Sequence, residues 1–86
     1  MFEKFKNSEI CFLDEILIEL DSSQNSSDLS MDYLLKDINS WDSMGWIKIM
    51  NFLKQRYNVE ISFQSASQIE DVGQFLNFLT ENTDIL

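Results

Sequence analysis

Apolar residues recur at helical spacing in three stretches of the chain. In the first stretch, about residues 8–20, they follow steps of three and four and form one face of a helix: Ile10, Leu13, Ile16, Leu17 and Leu20. The second stretch, about residues 43–56, has the same kind of stripe, made of Trp46, Ile49, Met50, Leu53 and then Tyr57. The third follows Glu70 or Asp71 as helix cap and has Val72, Phe75, Leu76 and Leu79 on its buried face. Three amphipathic helices are therefore predicted.

Two polar segments separate these helices. Residues 21–32 read DSSQNSSDLSMD, a serine-rich composition that predicts a long loop with a mobile beginning. The second segment, NVEISFQSASQ, predicts a connector with one short helical turn from Ser65 to Ile69. The chain has no proline and only two glycines, which favours helices over sheet. The predicted fold is all-α: a four-helix bundle with three main helices, a short third helix and a long first loop.

Length and charge restrict the domain organisation and the partners. The 86 residues predict a single domain, 1–86, with a core over about 8–80 and a flexible loop over 21–32. A net charge of −9 disfavours nucleic-acid binding and anionic membrane surfaces. No apolar stretch approaches the ~20 residues that span a bilayer, and the N-terminus does not read as a signal peptide. The single cysteine, Cys11, is interpreted as a small hydrophobic residue in a cytoplasmic protein.

The absence of histidine narrows the chemistry further. It excludes a Ser-His or Cys-His nucleophile pair and a histidine metal site. A helical domain of this size also has little room for a pocket around two carboxylates. We therefore expect no catalytic residues, no metal site and no enzymatic activity from this chain alone.

The stretch NSWDSMGWIKIM places Ser43 at the start of the second predicted helix. From the residues alone, Ser43 is interpreted as an N-cap, because serine oxygens accept hydrogen bonds from the unpaired N–H groups of a first turn. The same position also suits a covalent phosphate, with the N–H groups of Met44, Gly45 and Trp46 pointing outward beside it. Gly45 costs about 1 kcal/mol in helix propensity relative to alanine. Close approach of another macromolecule would explain it, and so would simple tolerance.

The sequence DSMG followed by an amphipathic helix resembles the phosphopantetheine attachment site of acyl and peptidyl carrier proteins. The longer stretch LKDINSWDSMGWIKIMNFLKQRYNVEIS is similar to the second helix of that family with its flanks. FQSASQIEDVGQFLNFL is similar to its short third helix and its fourth helix. The resemblance covers about residues 30–80 and reverses the interpretation of Ser43.

The resemblance implies that Ser43 carries 4′-phosphopantetheine, a covalent cofactor whose thiol holds acyl or aminoacyl groups as thioesters. Asp42 would support the phosphopantetheinyl transferase, and Met44, Ile47 and Lys48 would face partner enzymes. Core packing is the other interpretation of Met44 and Ile47. The implied partners are that transferase, an acyl- or aminoacyl-loading ligase, and a downstream acyltransferase or synthase. The implied protein is a monomeric, stand-alone carrier.

The second helix departs from the family in its charge. Typical fatty-acid carriers present acidic side chains there, whereas this segment has Lys48, Lys54 and Arg56 and no acidic residue. Because charge complementarity governs encounter rate and specificity, we expect partners in a specialised biosynthetic pathway rather than in housekeeping fatty-acid synthesis. A solvated basic face is the alternative interpretation.

Two other function classes fit parts of the sequence. Calcium binding is one, because residues of the first loop fall at positions one, three, five, seven and twelve of an EF-hand-like loop: Asp21, Ser23, Asn25, Ser27 and Asp32. Ser26 replaces the required glycine, however, and position twelve is Asp instead of Glu, so a solvated loop is favoured. The other is an unmodified helical adaptor that uses the carrier fold only for protein binding.

Overall fold

A computed structural model describes residues 5–83 of the chain. Within this part there are four α-helices and no β-strand apart from one isolated bridge. The helices are Asn7–Glu19 (α1), Ser43–Tyr57 (α2), Phe63–Ser67 (α3) and Val72–Asn82 (α4). The predicted all-α class is confirmed. None of the helices among these residues has the length and apolar character needed to cross a membrane.

Side-chain caps determine where three of the helices begin. Asp42 accepts a hydrogen bond from the N–H of Gly45, Ser62 from that of Ser65, and Asp71 from that of Gln74. Each bond satisfies an N–H group that has no partner inside the helix. The cap at Ser62 also explains why α3 begins and ends two residues before the predicted turn. Asp71, one of the two predicted caps of the last helix, is confirmed.

The helices enclose one hydrophobic core. Its most deeply buried large side chains come from α1 and its C-cap residue, from α2 and from α4: Leu13, Ile16, Leu20, Ile49, Leu53, Val72, Phe75 and Leu79. Polar side chains of α2 that lie outside its buried stripe are exposed, as at Lys48, Asn51 and Gln55. Cys11 was interpreted as a small hydrophobic residue, but its side chain is exposed and does not belong to the core. The buried stripe of α1 runs through Phe12 and Leu13, and the helical repeat places position 11 on the opposite side.

The first loop makes more hydrogen bonds than its serine-rich composition predicts. It contains a 3₁₀ turn, Ser26–Asp28, whose first N–H donates to Asp14 of α1 at 3.0 Å. Gln24 donates to the Tyr33 hydroxyl at 3.0 Å and accepts from the N–H of Asn39. Leu29 is buried in the core. The mobility of the beginning of the loop stays a prediction.

A second part of the loop lies alongside the start of α4. The N–H of Leu35 donates to the carbonyl of Glu70 at 2.9 Å, and the N–H of Val72 donates to the carbonyl of Tyr33 at 3.0 Å. Leu34 and Asp71 form an isolated antiparallel bridge between these two bonds. A second 3₁₀ turn, Leu35–Asp37, then leads toward α2. This pairing brings the loop, the start of α2 and the start of α4 to the same end of the molecule.

Candidate functional site

Asp42 and Ser43 occupy the first positions of α2 but have different contacts. Asp42 is the N-cap, and its Oδ1 accepts from the N–H of Gly45 at 2.9 Å. Ser43 is the first helical residue and is exposed. Among residues 5–83, its hydroxyl makes no hydrogen bond. The interpretation of Ser43 as the cap is therefore wrong, because Asp42 occupies that position.

The N–H groups of the first turn are only partly available. That of Gly45 is bonded to the Asp42 carboxylate, and that of Trp46 donates to the Asp42 carbonyl at 2.9 Å. The prediction that both point free beside Ser43 is wrong, because Asp42 serves as cap with two of its oxygens. The N–H groups of Ser43 and Met44 precede the first bonds of the helix, so they face outward at its positive end.

Gly45 is required by a contact within the chain. It is buried, and a Cβ at this position would lie 2.1 Å from the carbonyl oxygen of Ser40 and 3.1 Å from Leu20 Cδ2. Ser40 has φ 70°, a left-handed conformation that serine rarely adopts. The turn before Asp42 is thus folded tightly against the first turn of α2. Neither approach of another macromolecule nor simple tolerance is needed to explain the glycine.

A cleft of about 460 Å³ opens beside Ser43. Its walls come from the loop, the start of α2 and the segment before α4: Leu34, Leu35, Lys36, Trp41, Asp42, Ser43, Trp46, Ile69 and Glu70. The apolar side chains form the walls of the cleft. The charged side chains are exposed and lie at the edge of the cleft. Ser43, the attachment residue expected from the resemblance, therefore borders a partly apolar cleft.

Three aromatic rings pack together beneath the cleft. The rings of Trp41 and Trp46 meet edge to face at 5.2 Å between centroids, and Phe75 lies 5.3 Å from Trp41 and 5.9 Å from Trp46. These separations are those of directly packed aromatic pairs. The indole Nε1 of Trp41 is buried without a hydrogen-bond partner among the described residues. Its N–H is thus a donor held in an apolar setting at the wall of the cleft.

The predicted partner-facing side chains lie on the surface of α2. Met44 is 65% exposed and Ile47 is 39% exposed, so neither is part of the core. Lys48 is also exposed. These residues adjoin Ser43 along the first turns of α2, and they present apolar surface next to one positive charge.

Most of the basic charge of α2 is neutralised within the chain. Lys54 pairs with Glu60 at 2.7 Å, and Arg56 pairs with Glu15 at 3.3 Å. The hydrogen bond from Lys54, followed by its charge, lowers the pKa of the Glu60 carboxyl. Lys48 has no ion pair within residues 5–83. The basic face expected from the sequence therefore reduces to Lys48 near Ser43.

The loop residues proposed for calcium make hydrogen bonds with one another and with nearby loop residues. Asn25 accepts from the N–H of Ser27, Asp32 accepts from Ser30, and Ser23 accepts from Asn39. In the described part of the chain, no group of three or more Asp, Glu, Cys or His side chains is placed to hold a metal ion. The loop therefore offers no preformed ligand cluster.

Sequence reasoning did not predict the cleft. Trp46 was predicted on the buried stripe of α2, Ile69 at the end of a helical turn and Glu70 as a candidate cap, but no local signal placed them beside Ser43. Their proximity to Ser43 follows from the pairing of the loop with the start of α4, which links residues far apart in sequence. Comparisons of the chain with models of protein families, with curated proteins and with solved structures find no match.

Proposed function

We propose that this protein is a carrier of the acyl or peptidyl carrier type, which holds activated groups on a 4′-phosphopantetheine arm attached to Ser43. The observation that carries the proposal is the division of roles at the start of α2. Asp42 performs the capping, so the exposed hydroxyl of Ser43 is available for modification. The four helices in the described residues agree with the proposed fold type.

The residues around Ser43 fit a phosphodiester. The positive end of α2 favours an anion, and the N–H groups of Ser43 and Met44 can donate to phosphate oxygens. Ser43 Oγ would supply the bridging oxygen. A separate transferase would bring the group from coenzyme A, with loss of the hydroxyl proton and of adenosine 3′,5′-bisphosphate. When bound, the arm would supply a thiol that carries the cargo as a thioester.

The other predicted roles belong to the same proposal. Asp42 would support the transferase reaction through the carboxylate oxygen that does not bond Gly45. Met44 and Ile47 would give a partner enzyme an apolar contact, with Lys48 supplying charge complementarity to an acidic partner. A covalent arm raises the effective concentration of its cargo at each partner enzyme. The partner enzymes would perform the catalysis, and the chain itself would perform none. The expected setting is a specialised biosynthetic pathway.

The test is the intact mass of the chain after incubation with coenzyme A, magnesium and a broad-specificity phosphopantetheinyl transferase. We expect one arm on the native chain and none on Ser43→Ala. Ser67→Ala removes another exposed serine, at the end of α3, and should still accept one arm.

Failure of the native chain with several transferases would contradict the carrier function. The exposed Met44 and Ile47 would then be explained better as the binding surface of an unmodified adaptor. An arm on Ser43→Ala would show that modification occurs elsewhere and would contradict the assigned site.

A further inference from the structure

The size of the cargo is restricted by how the core is filled beneath Ser43. Trp41 is 5% exposed and Phe75 is fully buried, and both contact the partly buried Trp46. Ile49 and Leu53, about one and two turns after Trp46 in α2, are also fully buried. A chain that entered the core from Ser43 would have to displace two indoles and a phenyl ring. Close-packed interiors resist such insertion, because it forces strained side chains and backbone shifts.

The cleft above these rings is open to solvent and offers a limited apolar surface. Leu34 is 37% exposed at its edge, and Ile69 and Trp46 are partly buried in its walls. The charged residues at the edge have both signs, Lys36 against Asp42 and Glu70. The excess of one negative charge disfavours an anionic cargo, and the apolar walls favour an uncharged apolar one.

Given the carrier function proposed above, we propose that the cleft beside Ser43 binds a short apolar cargo and that the Trp41–Trp46–Phe75 cluster keeps longer chains out of the core. The cargo lies against Trp46 and Ile69, within reach of the arm because Ser43 borders the same cleft. Any part of a chain that extends past the cleft stays in solvent and gains no burial.

The experiment compares forms of the chain loaded from acyl-coenzyme A by the transferase. Acetyl, butanoyl, octanoyl and dodecanoyl forms are confirmed by intact mass, and their urea unfolding midpoints are measured by circular dichroism. We expect the midpoint to rise from the acetyl to the butanoyl form, because a cargo that binds only the folded state stabilises that state. The octanoyl and dodecanoyl forms should show no further rise, but should bind a hydrophobic resin more strongly under native conditions.

A matched pair of variants tests the role of the aromatic cluster. Trp46→Ala removes the ring between cleft and core, so the octanoyl form of this variant should be more stable than its butanoyl form. Phe63→Ala removes an aromatic ring that is 66% exposed and outside the cleft. As in the native chain, the urea midpoint of its octanoyl form should not exceed that of its butanoyl form. Trp46→Leu, a smaller change, serves if Trp46→Ala does not fold.

The outcomes separate this proposal from the carrier function. If no arm is added, the carrier function itself fails. If the forms load but the midpoint rises steadily to dodecanoyl, long chains enter the core and the size limit is wrong. If the forms load and all midpoints are equal, the cleft does not hold the cargo.

Discussion

Asp42 and Ser43 are adjacent in sequence, and both are residue types that commonly cap helices, but only Asp42 does so. The backbone distinguishes them, because Asp42 is extended, with φ −115° and ψ −163°, as N-cap residues are, whereas Ser43 is already the first helical residue. The residues alone led to the interpretation of Ser43 as the cap, and they could not correct it because aspartate and serine have nearly equal preferences for this position.

This assignment predicts different stabilities for two alanine variants. Asp42→Ala removes the bond to the Gly45 N–H and should lower the free energy of unfolding by about 1 kcal/mol. Ser43→Ala removes a hydroxyl without a hydrogen bond in the described part, so its change should stay within about 0.5 kcal/mol. Urea denaturation measures both. Asp42→Asn, which retains a capping oxygen, is the control, and a larger loss for Ser43→Ala than for Asp42→Ala would contradict the assignment.

Substitution of Gly45 by alanine should change the free energy of unfolding in the direction opposite to that expected from helix propensity. Alanine is favoured over glycine in a helix by about 1 kcal/mol, but its Cβ would lie 2.1 Å from the Ser40 carbonyl oxygen. Gly45→Ala should therefore lower the free energy of unfolding by about 1–3 kcal/mol, as overpacked sites do. Asn51→Ala, at an exposed position of α2, should raise it by up to about 0.5 kcal/mol. Equal effects of the two variants in urea would show that the turn adapts easily.

At the scale of elements, α1 and the end of α2 are connected through one carboxylate. Glu15 Oε2 accepts from the Tyr57 hydroxyl at 2.8 Å, and its Oε1 pairs with Arg56 at 3.3 Å. Burial, followed by the hydrogen bond to Glu15 and the charge of Glu15, raises the pKa of Tyr57 above its ordinary value of 10.0. The folded state therefore holds the phenolic proton more firmly than the unfolded chain does.

The sign of the pH effect follows from this raised pKa. The stabilisation is fully present below pH 10.0 and is lost as the pH rises through the higher folded pKa. We expect the urea midpoint to fall in that alkaline range, and Tyr57→Phe to reduce the fall, since phenylalanine has no proton to lose. Tyr33→Phe changes a tyrosine hydrogen-bonded to Gln24 instead and is the control. If Tyr57→Phe keeps the full alkaline decline, another group causes it.

The elements were predictable from the sequence to different degrees. The three long helices, α1, α2 and α4, follow from apolar periodicity, which is a local property. The bounds of α1 and α2 lie within about one residue of their predictions, and α4 begins directly after its predicted cap Asp71. The short α3 was placed two residues late because its single turn has little periodicity and its start depends on the Ser62 cap. The cleft could not be predicted, because it requires the pairing of residues 33–35 with residues 70–72 across a gap in the sequence. The close contact at Gly45 depends on a turn conformation that composition does not encode.

At the scale of the whole molecule, acidic side chains greatly outnumber basic ones, so most of the negative charge is not offset by ion pairs. The chain has net charge −9, and its two side-chain ion pairs in residues 5–83 are at the surface, where such pairs contribute little. Self-repulsion of this kind destabilises the compact state, and salt screens it.

We therefore expect sodium chloride, raised from low concentration to about 0.15 M, to increase the urea unfolding midpoint. Glu19→Gln changes an exposed residue in the last turn of α1, where there is no basic side chain, and leaves a net charge of −8 (−9 + 1). This variant should depend less on salt than the native chain. A midpoint that stays constant or falls with salt would show that the surface ion pairs outweigh the repulsion.

The packing of Trp41 against Trp46 has a spectroscopic consequence. These are the only two tryptophans of the chain, and both line the cleft that Ser43 borders. Tryptophan emission from the unlabelled protein therefore arises entirely at this one place. Attachment of an arm, arrival of a cargo and its removal by a partner enzyme would each change the surroundings of the same two indoles. The chain thus contains its own optical reporter, positioned where every step of the proposed cycle would occur.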